Sequence, residues 1–229
     1  MNVTEAVRHR KSIRAFLDKP VPAALLREAL ELAARSPSGG NVQPWRVQVL
    51  AGAPLAALKE KMRLRLSTNF TPDPSEYPIY PASLGEPYRT SRFQVGEDMY
   101  ALLGISREDK MARLQWLQNN YQFFGAPAGL FCYVDRGMGS AQWSDLGMYL
   151  QTLMLLLQER GIDSCAQEAW SAYHQTVREQ LGMADNFMLF CGMAIGYADP
   201  AAAVNRLQSQ RLPLAQFASL HGFDDATPA

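Results

Sequence analysis

The chain has 229 residues, 22 Lys+Arg against 22 Asp+Glu, and so no net charge with which to draw in a polyanion; nucleic acid is excluded as an expected partner. Hydrophobic residues make up 48% and charged residues 19%, which is enough apolar material for the core of one α/β-type domain and too much for a disordered chain. The longest apolar run, residues 146–157, is broken by Gln151 and Thr152 and is too short to cross a bilayer, so a soluble, cytoplasmic protein is expected.

In chain order, Asn2 and Glu5 form the signature of a capping box at the head of a short helix. Arg8-His-Arg-Lys-Ser-Ile-Arg14 follows, with four cationic side chains and a serine in seven residues. Written as extended chain, Arg10, Ser12 and Arg14 share one side, where two guanidinium forks and a hydroxyl can chelate a phosphate. A solvated basic face is the plainer alternative. Pro22 opens a second helix that runs to about Arg35.

Ser36-Pro-Ser-Gly-Gly-Asn-Val-Gln-Pro-Trp45 separates that helix from an alternating strand over 45–50. Pro stops a helix and the Gly pair permits positive φ, so the loop offers free backbone N–H groups beside the Ser38 hydroxyl and the Asn41 and Gln43 amides. This neutral, hydrogen-bonding surface suits the edge of a flat heterocycle. A basic amphipathic helix is expected from Pro54 to Leu66. Residues 67–95 then hold five prolines with Tyr77, Tyr80 and Tyr88 and little periodicity, which reads as an insertion, packed as a lid or arm.

Ser106 and Asp109 mark a helix through Gln122, with Asn119 and Gln122 on one face. Residues 128–134 read as a buried strand, and Ser144 or Asp145 as the cap of an apolar helix over 146–159 closed by Gly161. That helix lacks a polar face, so it demands cover from its own sheet or from a second subunit. Residues 162–170 cross to another helix, 173–181, and 187–197 form a second buried strand. The tail from 198, carrying Arg206 and Arg211, reads as an arm across a neighbour. Cys132, Cys165 and Cys191 form no C-x-x-C and have no histidine near in sequence, which points to buried thiols. The chain has no G-x-G-x-x-G, Walker loop, G-x-S-x-G or metal-ligand spacing, so a phosphate-bearing cofactor must be held by side chains and loops.

Arg10-Lys-Ser-Ile-Arg14, the 36–45 loop, Phe123-Phe-Gly-Ala-Pro127, Gln167-Glu-Ala-Trp170, Val177-Arg-Glu-Gln-Leu-Gly182, Cys191-Gly-Met-Ala-Ile-Gly-Tyr197 and Arg211-Leu-Pro213 occur in that order. In sequence and spacing the chain resembles the FMN-dependent nitroreductase family over nearly its whole length. The resemblance implies one α+β domain over 1–229, with a mostly antiparallel central sheet flanked by helices, an insertion at 67–95 and a C-terminal arm at 198–229. It also implies a homodimer with FMN at the subunit interface. Arg10, Ser12, Arg14 and Arg211 would hold the phosphate and ribityl end, and Lys11, lying among them, would reach the phosphate or the ring's pyrimidine edge. Pro37, Ser38, Gly39 and Asn41 would approach from the other subunit, Asn119 and Gln122 the O2/N3 side, and Gln167, Glu168 and Ala169 the N5/O4 side. Gln122 stands where many members carry Lys or Arg.

The implied reaction is ping-pong hydride transfer from NADPH or NADH to a nitroaromatic or quinone-like acceptor, with no side chain acting as acid or base and no metal. The alternatives are a flavin dehydrogenase or reductive dehalogenase whose insertion encloses its substrate, and a non-catalytic flavin-binding protein.

Overall fold

The computed structural model describes residues 1–223. Its centre is an antiparallel pair, β2 (Ala128–Asp135) and β4 (Phe187–Gly196), both apolar along nearly their whole length because both faces are covered. β1 (Arg46–Ala51) joins the outer side of β2, and β3 (Asp163–Gln167) the outer side of β4, giving the order β1-β2-β4-β3 with every pairing antiparallel. The expected mostly antiparallel sheet in an α+β fold is therefore present. β3 is the strand that the pattern of 162–170 disguised as a crossover: its burial is uneven and it is only five residues long.

Alternation along the strands divides the core. Leu130, Cys132, Val134, Met193 and Ile195 pack under α2 (Ala23–Ala33) and α6 (Ser140–Glu159). Phe131, Cys165, Leu189 and Ala194 face α3 (Gly52–Thr68), α7 (His174–Leu181) and two irregular helical turns, Asn119–Gly125 and Glu168–Tyr173. The three cysteines are buried free thiols, and burial pushes the Cys132 thiol up to about 12, so it stays protonated and inert.

Three expected boundaries move, each for a local reason. α6 starts at Ser140, not after Ser144 or Asp145: the Gly139 N–H donates to Gln142 Oε1 at 3.1 Å and closes the first turn there. Asp145 thus lies inside the helix. α6 also covers most of its apolar face within its own chain, burying Leu146, Tyr149, Leu150, Leu153 and Leu157 and leaving Gly147, Met148 and Gln151 exposed. The helix expected to reach Gln122 is α5 (Lys110–Gln118), capped by Asp109, which accepts from the Ala112 N–H at 2.9 Å. It stops because Phe123 and Phe124 turn left-handed, at φ 50° and 52°, to bury both rings. Third, the irregular segment ends early: α4 (Tyr88–Leu102) begins where the Glu86 carboxylate accepts from the Thr90 N–H at 3.1 Å.

What remains irregular, about residues 69–87, is a strap in its first half. The Asp73 N–H donates to the Ala172 carbonyl and the Asp73 carboxylate accepts from the Gln175 N–H, both at 2.9 Å. The Tyr77 hydroxyl donates to the Phe190 carbonyl, and Glu76 receives Arg136 and Arg178.

The N-terminal segment lies on the free edge of β3. α1 (Val3–His9) carries the expected capping box, and after it Ser12 bridges Ser164 while the Ile13 N–H donates to the Ser164 carbonyl at 3.1 Å. Asn205 ties the tail to the same segment, accepting from the Arg14 N–H at 2.8 Å and donating to the Ala15 carbonyl at 2.8 Å. Beyond Leu207 the tail is exposed. Of the arm expected over 198–229, residues 224–229 lie outside the described residues. Among the described residues no helix is long and apolar enough to cross a membrane.

Candidate functional site

Two cavities lie along β3. The first, about 580 Å³, is lined by Arg10, Lys11, Ser12, Arg14, Ser209 and Arg211, among others, and by no carboxylate. Extended backbone from 10 to 14 puts these groups there, because Ser12 is held in register on the sheet edge. None of the ion pairs among the described residues uses Arg10, Lys11, Arg14 or Arg211. Desolvation, and then the neighbouring charge of Arg211, lowers the pKa of Arg10. Like charges crowded together without a counter-ion are destabilised until an anion joins them, and a phosphate dianion with its several acceptor oxygens fits this donor set.

The second cavity, about 600 Å³, has Gln167 and Cys191 on its floor, each nearly inaccessible at 3% and 2% exposed. Ala166, Leu150 and Met154 form its walls, Asn120 and Glu168 supply polar edges, and Ile79, Tyr80, Arg92 and Leu117 stand at its mouth. Gln167 Nε2 donates to the Asn120 carbonyl at 2.8 Å and to its Oδ1 at 3.2 Å, which fixes the amide. Its Oε1 is buried with no partner among the described residues. A buried amide oxygen without a donor costs about 1–3 kcal/mol, so the site lacks an N–H donor that a ligand would bring. The imide-like edge of a flavin is such a donor. Partial burial raises the pKa of Glu168 above the usual carboxylate value.

The cavities are joined through one strand. Ser164 pairs with Ser12 beside the first and Gln167 opens the second, three residues along β3, or about 10 Å at the strand rise. That separation suits a flat ring joined to a phosphate by a short polyol, so the residues present fit FMN.

Arg10, Lys11, Ser12, Arg14 and Arg211 are therefore brought together around one cavity, and Gln167, Glu168 and Ala169 around the other. Gln122 and Asn119 line neither: Gln122 Nε2 donates to the Lys59 carbonyl at 3.0 Å, and Asn120 takes the place at the cavity. The left-handed turn at 123–124 sets this register, and nothing in the local sequence announces it.

Pro37, Ser38, Gly39 and Asn41 also line neither cavity. Ser36 Oγ donates to Thr152 Oγ1 at 2.9 Å, and the Gly39 N–H donates to the buried Asp145 carboxylate at 3.3 and 3.4 Å. Residues 145, 148 and 152 of α6 hold the loop, while 147, 150, 151 and 154 face the second cavity; at 3.6 residues per turn these are nearly opposite sides. Within the loop Gly40, Asn41 and Gln43 are left-handed, at φ 55°, 58° and 50°, and the Gln43 N–H donates to Ser38 Oγ at 3.0 Å. The loop is tied down by these hydrogen bonds and largely exposed, and in one chain it faces away from the cavities. Sequence reasoning missed Ile79, Leu117 and Arg92 as cavity residues, none of which has a local signal, whereas Asn120 was the neighbouring alternative to Asn119.

Residues 7–197 match the model of the nitroreductase family. The 4-nitrobenzoate reductase of Pseudomonas putida is 35% identical over 220 residues, covering 95% of this chain and 95% of its own. The nitrobenzene nitroreductase of Ectopseudomonas oleovorans is 34% identical over 227 residues, 94% of this chain and 95% of its own. Among solved structures, the FMN and NADPH-dependent nitroreductase NfnB from Sphigopyxis sp. strain HMH superposes with a TM-score of 0.94 at 46% identity, covering 97% of this chain and 100% of its own. The FMN-dependent nitroreductase NfnB from Mycobacterium smegmatis, solved with NADPH, gives 0.89 at 31% identity over 96% of this chain and 99% of its own. With this match over most of its length, laid on a sheet edge that joins a cationic cavity to an amide-floored one, the chain belongs to the nitroreductase family.

Proposed function

We propose that the protein is an FMN-dependent oxidoreductase that takes reducing equivalents from NAD(P)H and passes them to nitroaromatic acceptors. The observation that carries this reading is the pair of unmet demands on one strand: a cationic cavity without counter-ion, and the partnerless Oε1 of Gln167 about 10 Å away. Arg10, Ser12, Arg14 and Arg211 hold the phosphate, and Lys11 adds to the field there. Gln167, clamped by Asn120, accepts an N–H from the ring edge, and Glu168 and Ala169 complete that border.

Bound FMN supplies the two-electron chemistry. The chain's own groups orient and enclose: Leu150 and Met154 keep water from one side, and Ile79, Tyr80 and Leu117 frame a mouth through which a flat ring can enter. The same mouth serves donor and acceptor in turn, which makes the kinetics ping-pong. Initial rates with NADPH and 4-nitrobenzoate varied together are expected to give parallel double-reciprocal lines. Intersecting lines would show both reactants bound at once and overturn the shared cavity.

The working unit in this reading is a homodimer, with Pro37, Ser38, Gly39 and Asn41 meeting the second copy's flavin. Two features support it. The loop is tied down by hydrogen bonds yet faces away from its own cavities, and the tail exposes Leu214, Phe217 and Leu220 at 58%, 66% and 69%. A monomer gains nothing from so many apolar groups on an extended arm. Sedimentation is expected to show a dimer, and Phe217→Glu to shift it toward monomer with loss of flavin. A yellow monomer of the unaltered protein would contradict this.

A further inference from the structure

The mouth of the second cavity carries one cationic side chain, Arg92, among Ile79, Tyr80, Leu117 and Phe190. Its guanidinium lies over the Tyr80 ring, 4.1 Å from the centroid, which holds the plane of the fork while leaving its N–H edges unspent. Of the two arginines on α4, Arg89 is closed by Glu86 at 2.7 Å, whereas no hydrogen bond or ion pair among the described residues uses Arg92. Nearby Arg113 is likewise closed, by Glu97 at 2.6 Å. Arg92 is thus aimed by stacking and has no partner for its donors, and it stands where a ring entering the cavity would present its outer substituent.

We infer that Arg92 selects the acceptor, binding a carboxylate carried by the aromatic ring on the side away from the group being reduced. This rests on the nitroreductase reading and deepens it to a substrate class: aromatic acceptors with an anionic substituent. The apolar mouth takes the ring, and Arg92, held against the flat face of Tyr80, takes the charge. Glu168 is the one acid lining the cavity. A phosphate of the dinucleotide donor offers similar anionic chemistry to the same fork, and the experiment separates the two.

The test compares kcat/KM for 4-nitrobenzoate and nitrobenzene in the unaltered holoenzyme, Arg92→Gln and Arg92→Lys, each with NADPH and with NADH and each checked for flavin content. Arg92→Gln is expected to keep its flavin, to lose about 10- to 100-fold on 4-nitrobenzoate, and to change about two-fold or less on nitrobenzene. Arg92→Lys, which keeps the charge without the stacked fork, recovers part of the loss. Equal losses on both acceptors, or no loss on either, would overturn the inference. So would a rise in the KM for NADPH, with or without one for NADH, with the acceptor ratio unchanged, since the anion would then belong to the donor. If the unaltered protein reduces neither acceptor, it is the nitroreductase reading that fails, and this inference with it.

Discussion

Arg14→Ala is expected to give a nearly colourless protein that binds FMN about 10- to 100-fold more weakly and no longer prefers FMN to riboflavin. The Arg14 backbone is tied to the tail by its N–H to Asn205, so the substitution leaves the strand edge in place. The side chain itself makes only a long contact, Nη1 to the Ser12 carbonyl at 3.4 Å, and no ion pair among the described residues. Its charge is therefore available to a ligand, and its loss removes one guanidinium fork from the cavity. Flavin released by heating and titrated back by fluorescence measures both affinities. A variant that keeps its preference for FMN would place the phosphate elsewhere.

Gly192→Ala is expected to damage fold and site together. A Cβ on Gly192 would lie 2.3 Å from Trp170 Cδ1 and 2.9 Å from its Nε1. Trp170 is fully buried, with Phe123, Phe131 and Tyr121 at centroid distances of 4.7, 5.0 and 5.4 Å, so the indole has nowhere to retreat. Overpacking of this kind costs about 1–3 kcal/mol, or roughly 2–12 °C in Tm for a chain this size. Gln167 is the register partner of Gly192, and Glu168 and Ala169 lie between Gln167 and Trp170. Displacing the indole pushes on the floor of the second cavity, and weaker flavin binding is expected along with the lower Tm. Unchanged melting and flavin content would mean that the core yields more easily than its packing implies.

The parts of this molecule legible in the sequence are those written in local chemistry. Strands β2 and β4 announce themselves by apolar runs, α1 by its capping box, and the cationic segment by charge density in a neutral chain. Arg10, Ser12 and Arg14 could be grouped because extended backbone alternates and nothing else was needed. Long-range events hid the rest. The left-handed pair Phe123 and Phe124 ends α5 early and exchanges Asn119 and Gln122 for Asn120, and that turn exists because both rings have a distant pocket to fill. Asp145 reads as a helix cap until a loop a hundred residues earlier presents the Gly39 N–H to it. The prolines and tyrosines near 67–95 signal an unusual segment, yet only the fold reveals that Tyr77 pins it and Tyr80 faces a cavity. Arg92 had no local signal, since its meaning depends on which carboxylates α4 keeps away from it.

The central claim is that one flavin site takes electrons from a nicotinamide and gives them to a nitroarene. The most direct measurement mixes the FMN-loaded protein with NADPH under anaerobic conditions in a stopped-flow cell, then adds 4-nitrobenzoate. Bleaching of the flavin absorbance is expected, followed by full recovery as the acceptor is reduced. A flavin that stays yellow with both NADPH and NADH, or that bleaches and is not restored by any nitroarene, would contradict it.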